Sequence, residues 1–155
     1  LCVLYSAAVF AEHLQEQLLR RGVNVKIENV KASSYEGMES TGKPEITFHF
    51  NEKELAGKRV LVVEDMIDTG ITLDALMQVL QELEPSSLHI AVLLKKIKEA
   101  VAQISAKYVG FEIPDLWVHG FGIDTDGFFR DLLDIMAVIL RHEDREKLNV
   151  YGGQG

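Results

Sequence analysis

The sequence predicts an α/β fold, a mostly parallel central sheet flanked by helices, and three observations predict it. Short apolar runs alternate along the chain with stretches whose apolar residues recur at helical spacing. The runs Val60–Val63 and Leu88–Leu94 are apolar almost without a break, as strands covered on both faces are. The balance of 47% hydrophobic and 26% charged residues in 155 fits one domain, residues 1–155, with a real core.

Taken in order, Leu1–Leu4 reads as a buried strand. Val9, Phe10, Leu14 and Leu18 then recur at helical spacing until Gly22 stops the helix. Val23, Val25 and Ile27 alternate with polar residues as a second strand, and Ile46, Phe48 and Phe50 do so as a third. Between them Lys31 to Pro44 is a polar loop, long for a compact domain and so a candidate lid. Arg59–Val63 is a strand, and Leu73, Leu76, Met77, Leu80 and Leu83 mark an amphipathic helix that Pro85 ends. Leu88–Leu94 follows as a strand, and the apolar runs Tyr108–Phe111, Trp117–Phe121 and Ile135–Leu140 complete the alternation. The tail 141–155 carries no signal.

Composition excludes several classes of function. A net charge of −8 argues against a protein that grips nucleic acid through its phosphates. The single cysteine, Cys2, has no partner for an internal disulfide and reads as core; the five histidines make no metal set. No apolar run reaches the roughly 20 residues that span a bilayer, and no basic-then-apolar leader is visible, so no membrane association and a cytoplasmic location are expected. The chain opens on Leu1 within an apolar run and without methionine, so a native N-terminal segment is expected upstream.

The chemistry concentrates between Val60 and Leu73. In an open α/β sheet ligands sit beyond the carboxyl ends of the strands, and here a buried strand delivers two adjacent carboxylates, Glu64 and Asp65. A core gains nothing from acids that repel each other. Asp68 follows, and Thr69-Gly70-Ile71-Thr72 then opens a helix. This turn offers hydroxyls, backbone N–H groups without helical partners and the positive end of a helix dipole, which suit a phosphate monoester. It is not a Walker loop, because no Gly-Lys-Ser/Thr ends it. The plain alternative is a Thr69 or Thr72 N-cap after a solvated strand end.

The segment Val60-Leu61-Val62-Val63-Glu64-Asp65-Met66-Ile67-Asp68-Thr69-Gly70 resembles the phosphoribosyl-pyrophosphate motif of type I phosphoribosyltransferases. Tyr108–Asp115, Trp117–Asp124 and Phe128-Phe129-Arg130-Asp131 are similar to the hypoxanthine/guanine branch in order, spacing and residue type. The resemblance implies the type I phosphoribosyltransferase fold with a small hood, partly truncated because chain before the first strand is missing. It also implies transfer of the phosphoribosyl group from phosphoribosyl pyrophosphate to a 6-oxopurine, and a homodimer or homotetramer.

It further implies roles for particular residues. Glu64 and Asp65 face the ribose, and Asp68, Thr69, Gly70, Ile71 and Thr72 hold its 5′-phosphate. Trp117 stacks on the purine, beside Met66 and the Val118 backbone. Asp124, with Glu64 and Asp65, is assigned to Mg2+, while Leu4, Tyr5, Ser6 and Arg130 are assigned to pyrophosphate. Ser34 and Tyr35 match the lid dipeptide. Asp68 is the candidate general base for the proton on purine N7, since like-charge repulsion from a phosphate makes a carboxylate a better base.

Lys96 aligns with the lysine that donates to the purine 6-oxo group; Lys95 and Lys98 are its neighbouring alternatives. Adenine presents a donor there and leaves two groups unpaired, a mismatch of about 1–3 kcal/mol. The chain departs from the family at Leu4-Tyr5-Ser6-Ala7, where a lysine with small residues is usual. The lost charge-assisted contact amounts to about 1.5–3 kcal/mol of pyrophosphate binding. Tyr5 thus raises an alternative reading, a weakly catalytic or non-catalytic ligand sensor.

Overall fold

The computed structural model describes residues 1–33, 44–98 and 104–138. Strand β1 (Cys2–Leu4) leads into helix α1 (Ala8–Arg20), followed by β2 (Asn29–Ser33), β3 (Glu45–Phe48) and a 3-10 turn at Glu52–Leu55. Then come β4 (Arg59–Ile67), helix α2 (Ile71–Glu82), β5 (Ser87–Lys96) and β6 (Tyr108–Ile113). Two short strands, β7 (Val118–His119) and β8 (Met136–Ala137), end the described chain.

Six strands form one sheet in the order β3-β2-β1-β4-β5-β6, parallel throughout except for β3, which runs antiparallel along β2 at the edge. The order follows from where apolar side chains can be covered. Val60, Val62 and Val92 pack under Leu73, Leu76 and Leu80 of α2. Cys2 and Val63 pack with Ala7 and Ala11 at and within α1 on the other face. Burial from both sides is why β4 and β5 read as continuous apolar runs. A third cluster, Leu93, Leu94, Val118 and Ile123, joins the sheet to an antiparallel ribbon made by β7 and β8.

Helix α1 ends as Gly22 requires. Its φ of +77° lets Val23 N donate to Leu18 O at 2.9 Å and Gly22 N to Leu19 O at 2.9 Å, which satisfies the last carbonyls.

Four expectations need correction. Val23–Ile27 is extended but is not a strand: β1 offers pairing only opposite Asn29–Lys31, and β3 pairs only from Val30 onward. The segment is tied instead to α1, where Gln15 Nε2 donates to Val25 O at 2.9 Å. The loop expected from Lys31 yields its first three residues to β2, because β3 supplies partners as far as Ser33. Trp117–Phe121 and the described part of Ile135–Leu140 do not enter the main sheet; β7 and β8 within them make the separate ribbon. Finally, β4 runs on to Ile67, since β5 continues to Lys96 and gives it partners.

Candidate functional site

The strand order turns back between β1 and β4, where successive connections leave in opposite directions along the sheet. Such a switch point opens a crevice beyond the strand ends. Glu64, Asp65 and Met66 are residues of β4 itself, so the sheet fixes their position. Met66 packs on the cluster containing Val118, which joins it to the ribbon.

After Ile67 the chain turns through Asp68 and Thr69 into α2. Gly70, the N-cap, has φ +82°, and a Cβ there would stand 2.7 Å from Ile104 Cδ1. No side chain caps this helix; the nearest approach is Ile71 N to Thr69 Oγ1 at 3.5 Å. The plain N-cap alternative therefore fails. The helix starts when Asp74 N bonds to Gly70 O at 2.8 Å, which leaves the N–H groups before it without helical acceptors. With the helix dipole and the hydroxyls of Thr69 and Thr72, they make a corner whose chemistry suits an anion. Ile71 points outward, 65% exposed.

The two carboxylates upstream are unequal. The Glu64 carboxyl group is buried although the residue as a whole is half-buried, and Asp65 N donates to Glu64 Oε1 at 3.1 Å. Burial first, and then the neighbouring Asp65, hold the Glu64 carboxyl well above the usual carboxylate range. Cys2, beneath them in the core, has its thiol pushed up to about 11, chiefly by burial.

At the carboxyl end of β5 the three candidate lysines differ in burial and partners. Lys96 is buried at 6% exposure, with Nζ 3.4 Å from Asp68 Oδ2 and 3.0 Å from Asp115 Oδ1. Lys95 pairs elsewhere, with Glu112 at 3.7 Å. Lys98 lies against Asp68 Oδ1 as an ion pair without hydrogen-bond alignment, and 3.5 Å from Asp115 Oδ1. Asp68 raises the Lys98 ammonium above its ordinary value, and Lys96 lowers Asp115 below its own.

On the other side of the crevice the loop after β1 meets the ribbon segment. Arg130 Nη1 donates to Ser6 Oγ at 3.1 Å and to Gly122 O at 3.2 Å, and its Nη2 lies 2.7 Å from Asp124 Oδ1. Asp124 Oδ2 accepts from Gly127 N at 2.7 Å. Gly122, at φ +94°, is what lets the loop approach: a Cβ there would meet Ser6 O at 2.4 Å. The Leu4–Tyr5 peptide is cis, and Tyr5 is exposed with Lys31 Nζ 5.8 Å from its ring centre. Trp117 is 61% exposed, which rules out a core role, and its Nε1 donates to Thr125 Oγ1 at 2.8 Å. Val118 is buried in β7.

Glu64, Asp65 and Asp124 do not gather into one metal cluster, and no group of three His, Cys, Asp or Glu among the described residues does. They nevertheless fit a divalent ion in kind. Mg2+ takes oxygen donors, and usually only one or two carboxylates, with phosphate oxygens and water filling the rest. Ser34 and Tyr35 lie outside the described residues.

A switch-point crevice, paired acids and an uncapped helix start define an α/β domain that binds a sugar phosphate. The chain belongs to the phosphoribosyl transferase domain family, whose model matches residues 1–126. Among its relatives, the human phosphoribosyltransferase domain-containing protein 1 is 34% identical over 97% of this chain and 68% of its own. The hypoxanthine-guanine phosphoribosyltransferase of Dictyostelium discoideum is 35% identical over 84% of this chain and 72% of its own. The Trypanosoma cruzi hypoxanthine phosphoribosyltransferase, solved with its product IMP, superposes with a TM-score of 0.79 at 35% identity, over 92% of this chain and 74% of the other.

Sequence reasoning assigned Asp68 and Lys96 to the base and Ser6 and Arg130 to pyrophosphate, and each pair is in contact, at 3.4 Å and 3.1 Å; it assigned Asp124 to Mg2+ with Glu64 and Asp65, whereas Asp124 pairs with Arg130 at 2.7 Å. It missed Lys98 and Asp115 as members of the Asp68 cluster. A signal existed: Lys96 and Lys98 are two apart at a strand end and so share a face. Asp115 had none, since its partners are 17 and 19 positions away.

Proposed function

We propose that the chain is a purine salvage phosphoribosyltransferase, moving the 5-phosphoribosyl group from phosphoribosyl pyrophosphate to hypoxanthine or guanine to give IMP or GMP and pyrophosphate. The observation that carries this is the buried Lys96 beside Asp68, an oxo-group donor next to a carboxylate. The names of the Dictyostelium and Trypanosoma relatives support the same base class.

In this reading Asp68, Thr69, Gly70, Ile71 and Thr72 hold the 5′-phosphate, and Glu64 and Asp65 accept from the ribose hydroxyls. Trp117 stacks on the purine over Met66, with the Val118 backbone at its edge, and a Lys96 N–H donates to the 6-oxo oxygen. Asp68 takes the N7 proton as N9 forms its bond to C1′ and the bond from C1′ to pyrophosphate breaks. Leu4, Tyr5, Ser6 and Arg130 receive the pyrophosphate. Glu64, Asp65 and Asp124 would hold Mg2+, which when bound neutralises the leaving group's charge. Ser34 and Tyr35 close over the site and exclude the water that would hydrolyse the activated sugar.

No helix among the described residues is long and apolar enough to cross a membrane. We place the protein in the cytoplasm, as one domain over 1–155. Exposed Tyr108, Val109 and Phe111 on the edge strand β6 suit a homodimer or homotetramer.

The test mixes protein, Mg2+ and phosphoribosyl pyrophosphate with hypoxanthine, guanine, xanthine or adenine and follows nucleotide formation. Turnover with oxopurines and little with adenine is expected. Ligand binding without turnover on any base overturns the enzyme reading and leaves the sensor reading, which exposed Tyr5 favours.

A further inference from the structure

Four charges close a ring at the mouth of β5 and β6. Asp68 contacts Lys96 at 3.4 Å, Lys96 contacts Asp115 at 3.0 Å, Asp115 contacts Lys98 at 3.5 Å, and Lys98 returns to Asp68. The signs alternate and sum to zero. Only two of the four, Asp68 and Lys96, have work in the function proposed above. Lys98 and Asp115 are unused by it, yet both contact the working pair directly.

The geometry gives them a task. An ammonium carries three N–H donors in a threefold arrangement. Among the described residues Lys96, buried within the strand end, faces two carboxylate oxygens: it donates to Asp68 Oδ2 at 3.4 Å and pairs with Asp115 Oδ1 at 3.0 Å. One N–H is directed by the hydrogen bond to Asp68, and the charge of Asp115 draws the ammonium toward a second side, which biases where the remaining N–H points. Without Asp115 the ammonium has one acceptor and can rotate about it. Asp68 is held likewise: Lys96 faces one of its oxygens and Lys98 the other, so its carboxyl plane is set by two cations. The other lysine nearby, Lys95, is engaged by Glu112 and does not enter the ring.

We propose that Lys98 and Asp115 are positioning residues of the base site, which set the direction of the free Lys96 N–H and the plane of the Asp68 carboxylate. The inference rests on the purine reading of the site. Of the turn Asp68–Thr72 that holds the ribose phosphate, the ring meets only the Asp68 carboxylate and leaves the backbone N–H groups of the α2 start in place, so the effect falls chiefly on the base.

Charge balance makes the test specific. Asp115→Asn leaves two ammoniums facing one carboxylate, and Lys98 then competes with Lys96 for Asp68. Lys98→Met alone leaves two carboxylates on Lys96. The double variant Lys98→Met/Asp115→Asn restores one acid to one base. We expect Asp115→Asn to raise KM for hypoxanthine and lower kcat, together about tenfold or more in kcat/KM, with KM for phosphoribosyl pyrophosphate unchanged. The double variant should recover part of that loss. Residues that merely hold the fold would give losses that add, and would move both KM values.

A binding readout separates failure of this inference from failure of the function. By calorimetry, Asp115→Asn should weaken IMP about tenfold while ribose 5-phosphate, which lacks the base, binds as to the parent protein. Equal weakening of both ligands, unchanged IMP affinity, or a double variant worse than Asp115→Asn overturns the ring. Absence of turnover in the parent protein with this binding pattern intact overturns the function and leaves the ring standing.

Discussion

Asp68 sits between two lysines and in reach of the turn that opens α2, so its replacement should separate chemistry from affinity. Asp68→Asn keeps the shape and loses the proton acceptor. Turnover is expected to fall by roughly 10²–10⁴-fold, with a far smaller change in IMP affinity, measured by steady-state kinetics and calorimetry. Equal losses would remove Asp68 from the role of base. Glu64 gives a pH signature. Its carboxyl is held above the ordinary 4.5 by burial and by Asp65, so the unfolded chain ionises first as pH rises. Over that interval the folded state binds more protons, and this contribution to stability declines until the folded group also ionises. Glu64→Gln cannot ionise, so its Tm relative to the parent should rise as the pH is raised above the ordinary carboxylate value of 4.5. A constant difference would refute the shift. Single residues were legible where the chemistry is unusual, as adjacent acids on a buried strand are. They were illegible where a contact is made by distant chain, as at Asp115.

Elements were legible wherever burial imposed a pattern. The strands β4 and β5 and the helix α2 follow from apolar runs and helical spacing, because each is covered by its neighbours. The second strand slipped from Val23–Ile27 to Asn29–Ser33 because alternation reports a half-covered face, which an extended segment lying on α1 also has. The ends of β4 and β5 were set by each other, and neither sequence alone carries that. Gly110, in β6, shows a demand of the same kind: a Cβ there would stand 2.6 Å from Leu93 O of β5. Gly110→Ala is expected to lower stability by about 1–3 kcal/mol, read as a reduced Tm, because backbone must move to admit the methyl group. An unchanged Tm would mean that β6 yields freely.

At the scale of the whole molecule, the sheet order places four strand ends along one crevice, and the sequence announced the crevice through its α/β alternation. The ribbon of β7 and β8 was not announced as separate, since two-residue strands leave no periodicity to read. The molecule's two sides differ in how far along the chain their parts lie. The corner proposed for the 5′-phosphate is local, made by residues 68–72 in one turn. The side proposed for pyrophosphate is a clasp between Ser6 and Arg130, 124 positions apart, admitted by Gly122. Closing a span of that length costs chain entropy that only a nearly finished sheet offsets. The corner can therefore form early, while the clasp belongs to the last events of folding, and a chain halted before them would carry a phosphate site with no opposite wall.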